Sequence, residues 1–378
     1  MRATLFAVVP SLIAAGVASA DSLNVRFVAS CDTRGSAYGV AVRDSYAYVA
    51  AAANGLRVIA IADPEHPAEV GFWDTPGTAY GVALIGEYAC VAAASAGLRI
   101  ISVSDPANPV EIDYYDSLGS ILSVAVSGNY AYVANDLHGL RVISVPGADE
   151  VGYCDSLQEA RGVAVSGSYA CVADGDSGLW ILSISSPSNP VVVGRCETPG
   201  YAEAVAVSGS YAYVADGSGG LGVISIVDPG RPSEVGRCAA PAYAYGVATS
   251  GTNAYLADGP GGLRVISVSN PARPGEVGHY DTTGIAHGAT VSGDYIYVAA
   301  GSAGLQILQF YGTGVEETSN AEVRMRNSGP TILSGASSVK HSASRVVFDA
   351  LGRRVVEPKP GVYFVRDRGR TRKVVVQR

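Results

Sequence analysis

The sequence predicts an all-β chain: a seven-bladed β-propeller of four-stranded blades, followed by a small C-terminal β module. Three observations lead there. The dipeptide Gly-Leu recurs at Gly55-Leu56, Gly97-Leu98, Gly139-Leu140, Gly178-Leu179, Gly220-Leu221, Gly262-Leu263 and Gly304-Leu305, in steps of 42, 42, 39, 42, 42 and 42 residues. A self-similar period of this size marks an array of like units. Around each pair lie short runs rich in Tyr, Val and Ile, such as Tyr130 to Ala134 and Leu140 to Val145, and these residues suit a pleated strand. The runs are apolar on both faces, as in Leu98, Ile100 and Ile101. No segment has helical periodicity, so each sheet has to be covered by its neighbouring sheets.

Each unit reads as four strands. In the third they are Leu122 to Val126, Tyr130 to Ala134, Leu140 to Val145 and Glu150 to Asp155, separated by turn residues at Ser127-Gly128-Asn129, Asp136 to Gly139 and Pro146-Gly147. A ring of radial blades and an open solenoid both cover two-faced sheets, but a repeat of this length is a blade length rather than a solenoid rung. Small residues in the first strand (Gly81 to Leu84, Gly162 to Val165) suit the crowded centre of a ring. The ends of the array agree. Val25 to Asp32 matches the fourth-strand pattern of Glu69 to Asp74, while the seventh unit stops after its third strand, Leu305 to Tyr311. The orphan strand at the front is expected to fill the vacancy at the back and close the ring, which protects the exposed edges.

The chain has 378 residues, 48% hydrophobic and only 16% charged, so it can bury a large core and is not generally disordered. Its net charge of −8 hides an asymmetry. Residues 1–320 hold 13 Lys+Arg against 30 Asp+Glu, a balance of −17; the remainder holds 13 against 4, a balance of +9. The acidic body should repel nucleic acid and anionic membrane. Arg2, the apolar run Leu5 to Val17 and the small residues Ala18-Ser19-Ala20 form a signal-peptide pattern with cleavage expected after Ala20. No other stretch is long and apolar enough to span a bilayer. The expected plan is a signal peptide over 1–20, the propeller over 21–312, a Ser- and Gly-rich linker over 313–340 and a C-terminal module over 341–378.

The six cysteines follow the repeat. Cys31, Cys154, Cys196 and Cys238 share one position of the fourth strand, and Cys90 and Cys171 replace the second Tyr of Tyr-Ala-Tyr. Equivalent positions in adjacent sheets lie about 10 Å apart, beyond the roughly 7 Å reach of a disulfide. Six free thiols are expected.

The repeats resemble the LVIVD family of surface and secreted repeat proteins. The resemblance rests on Gly-Leu-x-Val/Ile-Ile, then Ser104-Asp105-Pro106 to Pro109, then Val-Gly, then Asp74 to Gly77, then Tyr-Ala-Tyr-Val-Ala, over about residues 24–311. The name motif is degraded, with Ile-Ser usually standing where the family has Val-Asp. The resemblance implies a propeller, mostly without known catalysis. Asp63-Pro64, Asp228-Pro229 and Asn270-Pro271 then start turns.

The tail has another character. Arg345 to Val355, Pro360 to Arg366 and Arg372 to Val376 read as three strands with a Gly turn and a Pro-Gly turn. Asp349, Gly352 and Arg353, then Gly361 and Tyr363, then Lys373 resemble, in order, the C-terminal sorting domain of type IX secretion cargo. That resemblance implies type IX secretion machinery as a partner and an extracellular or outer-membrane surface location.

No Walker loop, dinucleotide fingerprint, Gly-x-Ser-x-Gly elbow or His-Glu-x-x-His is present, so neither a cofactor nor a metal is expected. Asp174-Gly175-Asp176-Ser177-Gly178 lacks the later ligands of a calcium loop and reads as an acidic turn. What remains is variation on a constant scaffold. Just before the first strand, one repeat position reads Tyr38, Tyr80, Leu122, Arg161, Glu203, Tyr245 and His287. Two residues earlier stand Ser36, Thr78, Ser120, Glu159, Tyr201, Tyr243 and Ile285. In the second-to-third-strand loop stand Ala51, Ala93, Asn135, Asp174, Asp216, Asp258 and Ala300. All three rings are expected at one mouth of the axis, where Glu159, Arg161, Asp174, Tyr201, Glu203, Asp216, Tyr243, Tyr245, Asp258 and His287 form a candidate ligand site. Aromatics with polar groups suit a sugar, a peptide or a partner surface; the alternative is structural, with Arg161 and Glu203 pairing across adjacent blades and the tyrosines plugging the channel. The expected protein is a non-catalytic binding or interaction protein with a protein or glycan ligand. The alternatives are a secreted lyase or hydrolase using Glu203, Arg161, His287 and Tyr245, and a structural surface-layer component without a pocket.

Overall fold

The computed structural model describes residues 22–312 and, in the tail, the strands Val346–Phe348, Arg354–Val355, Gly361–Asp367 and Arg370–Val376. The signal segment 1–20, the linker 313–340 and the motif residues Asp349, Gly352 and Arg353 lie outside the described residues.

Seven antiparallel sheets follow one another, and in each the first three strands neighbour one another in chain order. Blade one consists of Gly39–Arg43, Tyr46–Ala50, Leu56–Ala60 and Ala68–Trp73. Blade three consists of Ser123–Ser127, Tyr130–Ala134, Leu140–Ser144 and Glu150–Cys154. Its first strand starts one residue later than the pattern suggests, which leaves Leu122 at the mouth of the ring. First strands touch first strands in a closed cycle, with Gly288–Ser292 of blade seven against Gly39–Arg43 of blade one. The fold is an all-β, seven-bladed propeller of four-stranded blades.

Blade seven is built from both ends of the domain. Val25–Cys31 pairs antiparallel with Leu305–Phe310, with Val25 opposite Phe310 and Cys31 opposite Leu305. The expected closure is therefore present. The preceding Ser22–Leu23 adds a short fifth strand to blade six, pairing with His279 and Tyr280, which the repeat pattern does not contain. The ring is also latched loop by loop. Residues 52, 94, 136, 175, 217, 259 and 301 each form an antiparallel bridge to the next blade, ending with Ala37 against Gly301.

The repeating glycine has a double cause. Gly97 has φ +82, and a Cβ on it would lie 1.9 Å from the carbonyl oxygen of Tyr115 at the end of the fourth strand. Both the left-handed backbone and the clearance require glycine. At Gly304 the opposing carbonyl belongs to Cys31, so the N-terminal strand reproduces this contact as well.

The core is a set of inter-blade layers. One joins Tyr48, Leu56 and Val58 of blade one to Ala89, Val91 and Ile101 of blade two. Another joins Ala47, Val49 and Ile59 to Tyr297, Leu305 and Ile307 across the closure. In all seven blades the last four residues of the second strand are buried, as the two-faced apolar pattern requires. All six cysteines are free thiols. Burial pushes the Cys90 and Cys171 thiols up to about 12, which leaves them unreactive at neutral pH.

Toward the outside, third and fourth strands share a guanidinium–aromatic pair. Arg57 lies over Phe72 at 4.7 Å, Arg99 over Tyr114 at 4.5 Å and Arg141 over Tyr153 at 5.0 Å. In blade four the partners exchange strands, with Arg195 over Trp180 at 5.8 Å. In blade five Gly222 leaves the space open, and Arg237 reaches in from the fourth strand to Asp216 at 2.7 Å and Glu234 at 2.6 Å. The Asp-Pro turns behave as expected: Asp63 and Asp228 accept the N–H groups of Glu65 and Gly230.

In the tail, four strands form one antiparallel sheet, with Val346–Phe348 between Arg354–Val355 and Gly361–Asp367, and Arg370–Val376 beyond. The first of the three expected strands is thus two short ones. Gly361, Tyr363 and Lys373 lie on the paired strands. No helix among the described residues is long and apolar enough to cross a membrane.

Candidate functional site

A cavity of about 470 Å³ lies on the axis, walled by the first strands of all seven blades and rimmed by Tyr38, Tyr80, Leu122, Arg161, Glu203, Tyr245 and His287. Local hydrogen bonding puts these residues there. Each precedes its first strand and donates its N–H to the carbonyl ending the second strand: Tyr38 to Ala50, Arg161 to Ala173, Glu203 to Ala215 and His287 to Ala299. The residue before it (Ala37, Ala160, Ala202, Ala286) is fully buried in the inter-blade bridge. Strand alternation then turns the rim side chain toward the axis.

The rim divides into two arcs. On one, Arg161 donates through Nε and Nη2 to Oε2 of Glu203, at 3.2 and 3.1 Å, and the Tyr243 hydroxyl donates to Oε1 at 3.2 Å. Both carboxylate oxygens of Glu203 are therefore engaged. Arg161 lies 5.7 Å from the Tyr201 ring centre. Burial, then the Glu159 carboxylate beside it, raise the Tyr201 hydroxyl above its ordinary value. Burial and then Glu203 push Tyr243 up to about 12. On the other arc the rings touch in sequence. Tyr243 meets Tyr245 at 4.8 Å, Tyr245 meets His287 at 5.2 Å, His287 meets Tyr38 at 4.4 Å, and Tyr38 meets Tyr80 edge-on at 5.0 Å. Burial lowers the pKa of His287, so its imidazole is neutral at neutral pH.

The structure brings together Arg161, Tyr201, Glu203, Tyr243, Tyr245 and His287, with Glu159 behind Tyr201. It places Asp174, Asp216 and Asp258 elsewhere. All three are fully buried and absent from the cavity wall. They brace the turn leading into their own blade: Asp174 accepts the N–H groups of Gln158 and Glu159, Asp216 that of Gly200 and the Thr198 hydroxyl, and Asp258 the N–H of Ala242. The glycine after each aspartate touches the site instead. A Cβ on Gly217 would lie 2.8 Å from the Tyr243 ring, and one on Gly175 or Gly259 would crowd Tyr201 or Tyr245. Tyr38 and Tyr80 belong to the site although the charge variation over blades four to six does not point to them. Their place in the rim register was the available signal.

Glu203 and His287 share no hydrogen bond, and among the described residues no group of three His, Cys, Asp or Glu is arranged to hold a metal.

Solved structures share the fold at low identity. A chain of the mitotic checkpoint complex aligns with TM-score 0.63 and 14% identity, covering 82% of this chain and 99% of its own. U3-55K aligns with TM-score 0.63 and 11% identity, covering 75% and 98%. BamB from Moraxella catarrhalis aligns with TM-score 0.52 and 12% identity, covering 74% and 84%. Compared with curated proteins, the sequence has no match. The LVIVD repeat profile matches residues 34–75, 76–117, 119–145, 158–198, 199–240, 241–282 and 283–309. With seven copies over most of its length, and the blade closure described above, the chain belongs to the LVIVD repeat family.

Proposed function

We propose that this protein is an exported, surface-located binding protein without catalytic activity, which holds a glycan or protein ligand at the axial rim. One observation carries the reading. Among the described residues Glu203 is the one carboxylate on the cavity wall, and both its oxygens are occupied by Arg161 and Tyr243, which fixes a shape for recognition and leaves no acid–base pair among them poised for proton transfer. A cavity of this size within a ring of aromatics also favours binding over a purely structural role. The test is a glycan and peptide array probed with the mature full chain, and with its Glu203→Gln and Tyr245→Ala variants. Binding that both variants weaken supports the reading. Cleavage of a bound array member that Glu203→Gln abolishes would replace it with the enzyme reading.

Export rests on the segment 1–20, and delivery on the tail. The order Asp349, Gly352, Arg353, Gly361, Tyr363, Lys373 supports recognition by type IX secretion machinery, and the tail's charge of +9 against −17 for residues 1–320 supports a separable address. Expression of residues 1–320 and of the full chain in a host with type IX secretion tests this. Retention of the shorter form in the periplasm is expected, and its arrival at the surface would overturn the sorting role.

A further inference from the structure

The geometry points to a neutral sugar as the ligand class of the axial rim, its ring face lying on the arc of Tyr80, Tyr38, His287 and Tyr245 and its hydroxyls meeting the polar tips of that arc and the Arg161–Glu203 pair. This rests on the reading of the rim as a binding site and adds the chemistry of what it binds.

The observation behind it is an imbalance of polar groups. Four side chains on the wall, Tyr38, Tyr80, Tyr245 and His287, make ring contacts with one another but no side-chain hydrogen bond. Their rings are tilted 48 to 62° in succession, so the wall alternates ring faces and edges around the axis. A purely apolar ligand would bury three phenol hydroxyls and an imidazole without partners, which is costly for every group left unpaired. A pyranose carries an apolar C–H face and a rim of hydroxyls that donate and accept, which is the complement of aromatic rings with free polar tips.

Charge narrows the class. Glu203 is already paired with Arg161, Glu159 stands behind Tyr201, and the body carries −17 over residues 1–320. A polyanionic sugar would meet repulsion from that field. A cationic ligand would be steered toward the body, but the carboxylate on the wall, Glu203, is already satisfied by Arg161 and Tyr243. The polar groups left open are neutral donors and acceptors. The cavity of about 470 Å³ falls in the range of small-ligand sites.

The test is calorimetric titration of the mature full chain with maltotriose, cellotriose, mannotriose and chitotriose, with trigalacturonate and trilysine as charged counterparts. At least one neutral trisaccharide is expected to bind, with trigalacturonate and trilysine at least about tenfold weaker. Tyr38→Phe removes one hydroxyl and keeps the ring, and should weaken the sugar several-fold. Tyr245→Ala should abolish binding, with unchanged melting curves for both variants showing that the fold is kept. Unchanged or tighter sugar binding by Tyr38→Phe would overturn the hydroxyl pairing. Trilysine or trigalacturonate as the tightest ligand, lost in Tyr245→Ala, would overturn the neutral-sugar class and leave the rim standing as a binding site. No binding by any of the six probes would overturn the sugar class, and a blank glycan and peptide array beside it would remove the binding reading too.

Discussion

Deletion of residues 21–33 should break the ring rather than trim it. The segment contributes the whole outer strand of blade seven, paired with Leu305–Phe310 from Val25 opposite Phe310 to Cys31 opposite Leu305. It also removes Ser22–Leu23 from blade six. Val25 is 1% exposed and packs with Tyr255, Val265 and Leu308. Loss of that side chain costs about 2 kcal/mol by burial. The ladder holds roughly six backbone hydrogen bonds worth about 1 kcal/mol each. The sum, about 8 kcal/mol, is comparable with the whole stability of an ordinary domain, 5–15 kcal/mol. At roughly 2–4 °C per kcal/mol, the melting temperature should fall by some 15–30 °C, and the bared edge of Leu305–Phe310 should template association. Calorimetry and light scattering of the mature chain with and without the segment read both effects. Leu23→Ser is the control, since Leu23 is 47% exposed and its change should move the melting temperature by no more than a degree or two. A truncated protein that stays monomeric and melts within about 2 °C of the intact one would refute closure as the source of stability.

Three further outcomes follow from the interior. Asp258 is fully buried, its Oδ1 has no hydrogen-bond partner, and burial raises its pKa from 3.8 to about 6. The folded state thus holds a proton that the unfolded state releases, so this group favours folding below pH 4 and loses that contribution as pH rises through 6. Asp258→Asn should accordingly stabilise the protein by about 1–3 kcal/mol at pH 8 and by little at pH 4, in paired melts at the two pH values; no gain at pH 8 would refute it. Gly217→Ala should cost more than its backbone, because Ala52 and Ala94 hold the same left-handed position with φ 50 and 51 while a Cβ at 217 strikes the Tyr243 ring. In a Tyr243→Ala background the extra cost should vanish, a coupling of about 1 kcal/mol readable by a double-mutant cycle; additive costs would show that Tyr243 is not what the glycine accommodates. Alkylation of the unfolded mature protein without reductant, read by mass, should find six free thiols, and any smaller number would mean that a bridge exists.

The fold was legible because its determinants are local and repeated. Gly97 and its six equivalents hold a positive φ against a facing carbonyl, which no other residue tolerates, so the blade count stands in the sequence. The fourth-strand pattern of Val25 to Asp32 and the missing fourth strand after Tyr311 stand there too, and so does closure. Strand alternation likewise carries the rim register, from Tyr38 to His287, onto one circle. The contents of the site were less legible. Asp174, Asp216 and Asp258 share a ring with the rim in sequence, yet their side chains turn inward onto backbone N–H groups of the turn that enters their own blade, because a loop side chain follows whichever donor lies unpaired nearby and not a two-residue alternation. Arg161, Glu203 and Tyr243 belong to three successive units, and only the contact between blades decided that one carboxylate would satisfy both neighbours. Ser22–Leu23 lies outside the repeat and found its edge on blade six in space alone. The sequence by itself determined the ring, its count and its register, through backbone constraints that act within a few residues. The tertiary structure decided which polar groups cancel one another and which stay open to a ligand, because pairing across blades depends on distances that no single repeat contains.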